Sequence, residues 1–142
     1  MNLHQRACAT EKVLEQFRNR PFSWSGAHCI RLARAQGAAM GHNLPPVPRI
    51  RSAIGARRAL AARGADSVTG LLDQFFPRHP APAFMLIGDL CVLAGAEEHG
   101  GLEAVCIADG QGNLFGWHAV TDFRRLETIK FADSAIAAAW RL

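Results

Sequence analysis

Phe22-Ser23-Trp24-Ser25-Gly26-Ala27-His28-Cys29, running on into Ile30-Arg31-Leu32-Ala33-Arg34-Ala35-Gln36, is the stretch from which the chain is best read. An aromatic, glycine-containing turn delivers a cysteine to the first turn of a helix. Backbone N–H groups at such a terminus have no intrahelical partner, and the helix dipole there favours an anion, so a thiol at that place tends toward thiolate. Cys29 is therefore a candidate nucleophile by position as well as by type. The competing reading is that of a small apolar filler, since free cysteine is among the most buried residue types.

Working outward, Val13, Leu14 and Phe17 recur at helical spacing behind Thr10, a plausible N-cap, and Asn19-Arg20-Pro21 ends that helix. The near-continuous apolar run after Cys29 predicts a central, buried helix leading to Gly37. Gly41, Asn43, Pro45, Pro46 and Pro48 mark the loop that leaves it. Ser52 to Arg63 reads as a surface helix, and Asp66 or Ser67 caps a short one through Val68, Leu71, Leu72 and Phe75. Pro77 to Pro82 is a stiff connector. Beyond it the pattern turns strand-like: Phe84 to Leu93 broken by Gly88-Asp89, Leu102 to Ala108, a hairpin at Asp109-Gly110-Gln111-Gly112-Asn113, and Leu114 to Val120. A last segment carries Leu126, Ile129 and Phe131, with Ala135 to Leu142 a short helix or strand. Helices first and an antiparallel meander afterwards predict an α+β fold with the helices on one sheet face, one domain over residues 1–142.

Composition narrows the function. Four scattered cysteines (Cys8, Cys29, Cys91, Cys106) and six dispersed histidines offer no C-x-x-C or H-E-x-x-H spacing, so neither a disulfide framework, a metal site nor a cofactor is expected. The net charge of +4 comes from 16 basic and 12 acidic residues, much of it in Arg49, Arg51, Arg57, Arg58 and Arg63. No aromatic residues interleave with these arginines, which favours a solvated helix face over a nucleic-acid platform. The first residues lack an apolar signal core and no run is long enough to span a membrane, so a soluble chain without a signal peptide is expected.

Phe22-x-Trp24-x-Gly26-x-x-Cys29, Gly55-Ala56-Arg57-Arg58-Ala59-Leu60 with Gly64, Gly88-Asp89-Leu90 and the terminal Ala139-Trp140-Arg141, taken as an ordered set, resemble the NlpC-like branch of papain-fold cysteine peptidases. Within it the chain looks most like small proteins encoded in tailed-phage tail modules. In active members of that superfamily a cysteine attacks a peptide bond of the cell wall, a histidine on the strand after the Gly-Asp strand is the base, and a third polar residue orients it. The resemblance implies Cys29 as nucleophile. The base should fall near Leu102-Glu103, where no histidine stands; His99 lies a few residues upstream and His118 at about the orienting position. His28 replaces the aspartate that usually precedes the cysteine in the phage group.

Each of these residues also has a plain structural reading. His99 reads as a solvated turn histidine and His118 as a buried or interfacial one. Asp89 reads as a turn-fixing carboxylate, and Trp24 and Trp140 as core or interface anchors. Two roles follow: a degenerate, non-enzymatic component of a phage tail tip or of tail assembly, with other tail proteins as partners, or a peptidoglycan-cleaving endopeptidase or amidase acting during genome entry. Both place the chain in a virion tail, made in the host cytoplasm. A nucleic-acid-binding accessory role through the arginine-rich helix is a weaker third.

Overall fold

The computed structural model describes residues 1–95, 100–117, 126–131 and 135–142. Among the described residues, four helices precede the sheet: α1 Leu3–Phe17, α2 Cys29–Ala39, α3 Ala53–Ala62 and α4 Val68–Asp73, followed by a 3-10 turn at Pro82–Phe84. Five strands follow, β1 Leu90–Leu93, β2 Ala104–Ala108, β3 Asn113–Gly116, β4 Glu127–Lys130 and β5 Ile136–Trp140, in the spatial order β4-β3-β2-β1-β5 with every pairing antiparallel. The α+β reading is borne out. The sheet is not a simple meander, because the chain leaves β4 and adds β5 beside β1 at the opposite edge.

Local chemistry moves several boundaries. Helix α1 begins at Leu3, earlier than Thr10, because Asn2 and Gln5 form a reciprocal capping box: Asn2 Oδ1 accepts from Gln5 N at 2.8 Å, and Gln5 Oε1 accepts from Asn2 N at 2.9 Å. Thr10 is then an interior residue whose hydroxyl accepts from Gln36 Nε2 at 3.0 Å. Helix α2 continues past Gly37 to Ala39. Gly37 is there for close approach, since a Cβ at that position would lie 2.5 Å from Leu44 Cδ1 and 2.9 Å from Phe76 Cζ. Ser52 and Ser67 cap α3 and α4 by accepting from Gly55 N and Gly70 N. The run Phe84 to Leu93 is strand only from Leu90, because Asp89 folds residues 86–89 into a turn: Asp89 N donates to Leu86 O, and Leu86 N to Asp89 Oδ2. At the hairpin Asp109 Oδ1 accepts from Gln111 N and Asn113 N, so a side chain and two glycines set the reversal. Of the third predicted strand, residues 118–120 lie outside the described residues.

Every residue of β1 and β2 is buried, and since alternate side chains point to opposite faces, both faces of the sheet's centre are covered. The unbroken runs Leu-Cys-Val-Leu and Ala-Val-Cys-Ile-Ala are what such doubly covered strands require. Helix α2 lies against β2 and α1 against α2. Leu32 of α2 is fully buried in the core, which is worth about 1.5–3 kcal/mol relative to leaving it exposed.

Candidate functional site: a closed cysteine at the start of helix α2

The turn before α2 is stapled by Ser23 N to Ala27 O at 2.7 Å and Gly26 N to Ser23 O at 3.1 Å. Phe22 packs edge-on against Trp24 with ring centres 5.1 Å apart and against Trp117 at 6.1 Å, which orients the turn over the core. Trp117 Nε1 donates to Arg20 O at 3.1 Å and ties the end of β3 to the same corner. His28 is the N-cap of α2, its Nδ1 accepting from Arg31 N at 3.4 Å, and Cys29 is the first helical residue. The sequence therefore places Cys29 correctly.

The environment of Cys29 reverses the expected chemistry. Only 4% of the residue is exposed, and its sulfur faces β2. Burial pushes the thiol up to about 11 from 9.0, and hydrogen bonds from the backbone N–H groups of Val105 and Cys29 itself offset this only in part. Two pK units correspond to about 2.7 kcal/mol against the thiolate. A helix dipole contributes about 0.3–1 kcal/mol in its favour, so desolvation wins. Two further buried thiols lie on the neighbouring strands. Cys91 and Cys106, both free thiols, face each other across β1 and β2, and Cys106 is raised well above its ordinary value by its hydrogen bond with Cys91, by burial and by the neighbouring Cys91 and Cys29. Cys29 thus lies in the same buried region as the free thiols of Cys91 and Cys106.

No imidazole hydrogen-bonds to Cys29 among the described residues. His28, though adjacent, turns its Nδ1 to the helix terminus; burial, and then the charge of Arg31, lower its pKa to about 4. Its Nε2 is buried with no hydrogen-bond partner among the described residues. His99 and His118, the other two predicted site residues, lie outside the described residues. Where the resemblance calls for a histidine, Leu102 is buried and Glu103 is committed elsewhere, its Oε2 accepting from Thr69 N at 2.7 Å and Thr69 Oγ1 at 2.8 Å. Burial works to raise the Glu103 carboxyl, but these bonds from α4 outweigh it and hold it below its ordinary value. No group of His, Cys, Asp or Glu suited to a metal ion occurs among the described residues. No described helix is long and apolar enough to cross a membrane.

Asp89 is the anchor of a second corner. Its Oδ1 accepts from Arg6 Nη2 at 2.6 Å and Leu142 N at 3.0 Å, and its Oδ2 accepts from Leu86 N at 2.8 Å and lies 2.8 Å from His79 Nε2. Arg6 also donates to the backbone oxygens of Ile87 and Leu142. The turn-fixing role read for Asp89 is borne out, but Arg6 and His79 were missed. They sit 83 and 10 residues away, and no local pattern links them to a carboxylate. Beside this corner Gly88 has φ +89°, and a Cβ there would meet Met40 Cε at 2.6 Å and Thr10 Oγ1 at 2.7 Å. Trp140 is buried, its Nε1 donating to Asp73 Oδ1 at 2.9 Å, while Trp24 is half-buried against Phe22 and His28. Neither stands free as a stacking platform.

A cysteine heading a helix that packs on the centre of an antiparallel sheet is the arrangement of the NlpC/p60 fold, and comparison with solved structures bears this out. NlpC2 of Trichomonas vaginalis superposes with a TM-score of 0.58 at 14% identity, over 96% of this chain and 46% of that one; this chain spans about half the length of that protein. RipD of Mycobacterium tuberculosis, described as a non-catalytic NlpC/p60 domain protein adapted to peptidoglycan binding, matches with a TM-score of 0.47 at 18% identity over 96% and 97% of the two chains. The P60 domain of an antigen from M. avium paratuberculosis matches with a TM-score of 0.46 at 18% identity over 98% and 96%. The chain matches over residues 1–142 a family described as a domain of unknown function, DUF6950, and it belongs to that family. No curated protein sequence matches it.

Proposed function

We propose that this chain is a non-enzymatic NlpC-like module that serves as a building block of a phage tail, at the tail tip or in tail assembly. The observation that carries the non-enzymatic half is the closed state of Cys29: buried against β2, its thiol raised to about 11, and the expected base position spent on capping α4 through Glu103. At neutral pH such a thiol holds its proton, and a weak acid without a base in contact is a poor nucleophile. The tail half is supported by the ordered motif set from Phe22 to Arg141 and its resemblance to tail-module proteins. In this reading the site of action is the virion tail, and the neighbours are other tail proteins.

The competing role, a peptidoglycan endopeptidase or amidase using Cys29 with His99 and His118, is favoured by one observation: Cys29 is the first residue of α2 and packs on β2 within an NlpC/p60 fold. Release of soluble muropeptides from purified peptidoglycan separates the two. The intact protein, Cys29→Ala and His99→Ala are all expected to release nothing above buffer. Release by the intact protein that is lost in both variants would establish the peptidase. Mass spectrometry of purified virions tests the tail half: peptides of this chain belong in the tail fraction, and their absence from virions would remove that assignment.

A further inference from the structure

The helical side of the molecule carries a feature that neither the cysteine corner nor the Asp89 corner uses. Between α2, α3, α4 and the proline-rich loop lies a cavity of about 70 Å³, open to the surface. Ile30, Leu44, Val47, Ile50, Leu71 and Phe75 form much of its wall, and the proline-rich segment from Pro45 to Pro48 forms one lip. Prolines fix that lip in an extended shape, so the cavity exists before anything enters it. Its size suits one large apolar side chain rather than an extended apolar surface, the form that an anchor pocket takes at a protein interface.

Charge selects the occupant. Among the described residues, the charged ones lining the cavity are Arg34 and Arg63. Arg34 is held at the lip by Nε to Pro45 O at 2.9 Å, and the Arg63 guanidinium sits 5.7 Å from the centre of the Phe75 ring. Arg49 and Arg51 flank Ile50 and are exposed. Among the described residues none of these four arginines is paired with a carboxylate. A wall whose described residues include no acid, with guanidinium groups beside it that lack a carboxylate partner among the described residues, attracts carboxylates and repels basic segments.

We infer that this groove docks a segment of a partner protein that inserts one aromatic or long aliphatic side chain between flanking aspartates or glutamates. The inference rests on the groove alone and stands apart from the tail assignment. A nucleic acid fits less well: the walls are aliphatic and proline, and Arg63 already stacks on Phe75.

The test pans a random peptide display library on the immobilised full chain. It then measures one enriched peptide, fluorescently labelled, by anisotropy against the intact protein, Ala59→Phe and Arg63→Glu. Ala59 lines the groove from α3, so phenylalanine there fills it, whereas Arg63 is exposed and its replacement leaves the core untouched. Enriched sequences should carry one Phe, Trp, Leu or Met among Asp and Glu. Affinity should fall by about tenfold in Ala59→Phe, by about fivefold in Arg63→Glu, and further with added salt. The inference is overturned if no sequence enriches, if enriched sequences lack carboxylates, or if neither variant weakens binding. It is equally overturned if sedimentation shows a dimer of the intact chain that Ala59→Phe dissolves, or if a single-stranded oligonucleotide displaces the peptide.

Discussion

Two corners of this molecule bury ionisable groups, and they do so in opposite ways. At Asp89 the carboxylate is fully enclosed, and both oxygens are occupied by Arg6, His79 and the backbone N–H groups of Leu86 and Leu142. At the start of α2 the imidazole of His28 and the thiol of Cys29 are also enclosed, but His28 Nε2 has no hydrogen-bond partner among the described residues and Cys29 is forced toward its neutral form. The first corner is a clamp: it joins α1, the connector before the sheet, the turn into β1 and the end of the chain through one residue. The second stands at a helix start and has the electrostatics of a core. A buried group becomes reactive when partners favour its charged form, and α2's terminus does not supply enough of them.

The clamp predicts the largest effect. Asp89→Ala leaves Arg6 buried without its carboxylate and should cost about 3–5 kcal/mol in urea unfolding. Replacing Arg6 and Asp89 together by apolar residues of similar volume should recover much of it. A cost below about 1 kcal/mol for Asp89→Ala would mean the corner is not a clamp.

Next comes a pH effect confined to the other corner. The folded pKa of His28, about 4, lies below its ordinary 6.5, so between these values the unfolded chain binds the extra proton. The stability contributed by neutral His28 is then complete above about pH 6.5 and lost as pH falls toward 4, by at most about 3 kcal/mol. His28→Asn retains an N-cap acceptor without this titration, so its urea midpoint should fall less than that of the intact protein between pH 7 and 4. Parallel decline in the two proteins would show that His28 charges freely in the fold.

A smaller effect is expected at Gly88, where φ of +89° and the approach of Met40 and Thr10 leave no room for a side chain. Gly88→Ala should cost about 1–3 kcal/mol by thermal unfolding. The smallest effect is a count of thiols. In the native protein a disulfide reagent should titrate Cys8 alone, the exposed cysteine, and reach Cys29, Cys91 and Cys106 only after denaturation.

How far this contrast was legible in the sequence follows from the range of each interaction. The α+β order, the caps at Ser52 and Ser67 and the hairpin at Asp109 are set within a few residues, and local pattern is enough to find them. The position of β5 is not local: Ile136 to Trp140 pair with Leu90 to Leu93. Cys29's place at a helix start was legible for the same local reason. Its chemistry was not, because the dipole that favours the thiolate comes from the neighbouring peptide units, whereas the burial that opposes it comes from β2, more than seventy residues on. Arg6 and His79 were hidden in the same way, since nothing near Asp89 in sequence announces them.

The most direct test of the closed-cysteine account is the pH dependence of Cys29 alkylation by iodoacetamide in the native protein, read by mass spectrometry of the peptide that carries it, with exposed Cys8 as internal reference. The account predicts negligible labelling of Cys29 near neutral pH and an apparent titration approaching 11. Rapid labelling at neutral pH, with a rate that levels off below about 7 as an activated thiolate would give, would contradict it and return Cys29 to the role of nucleophile.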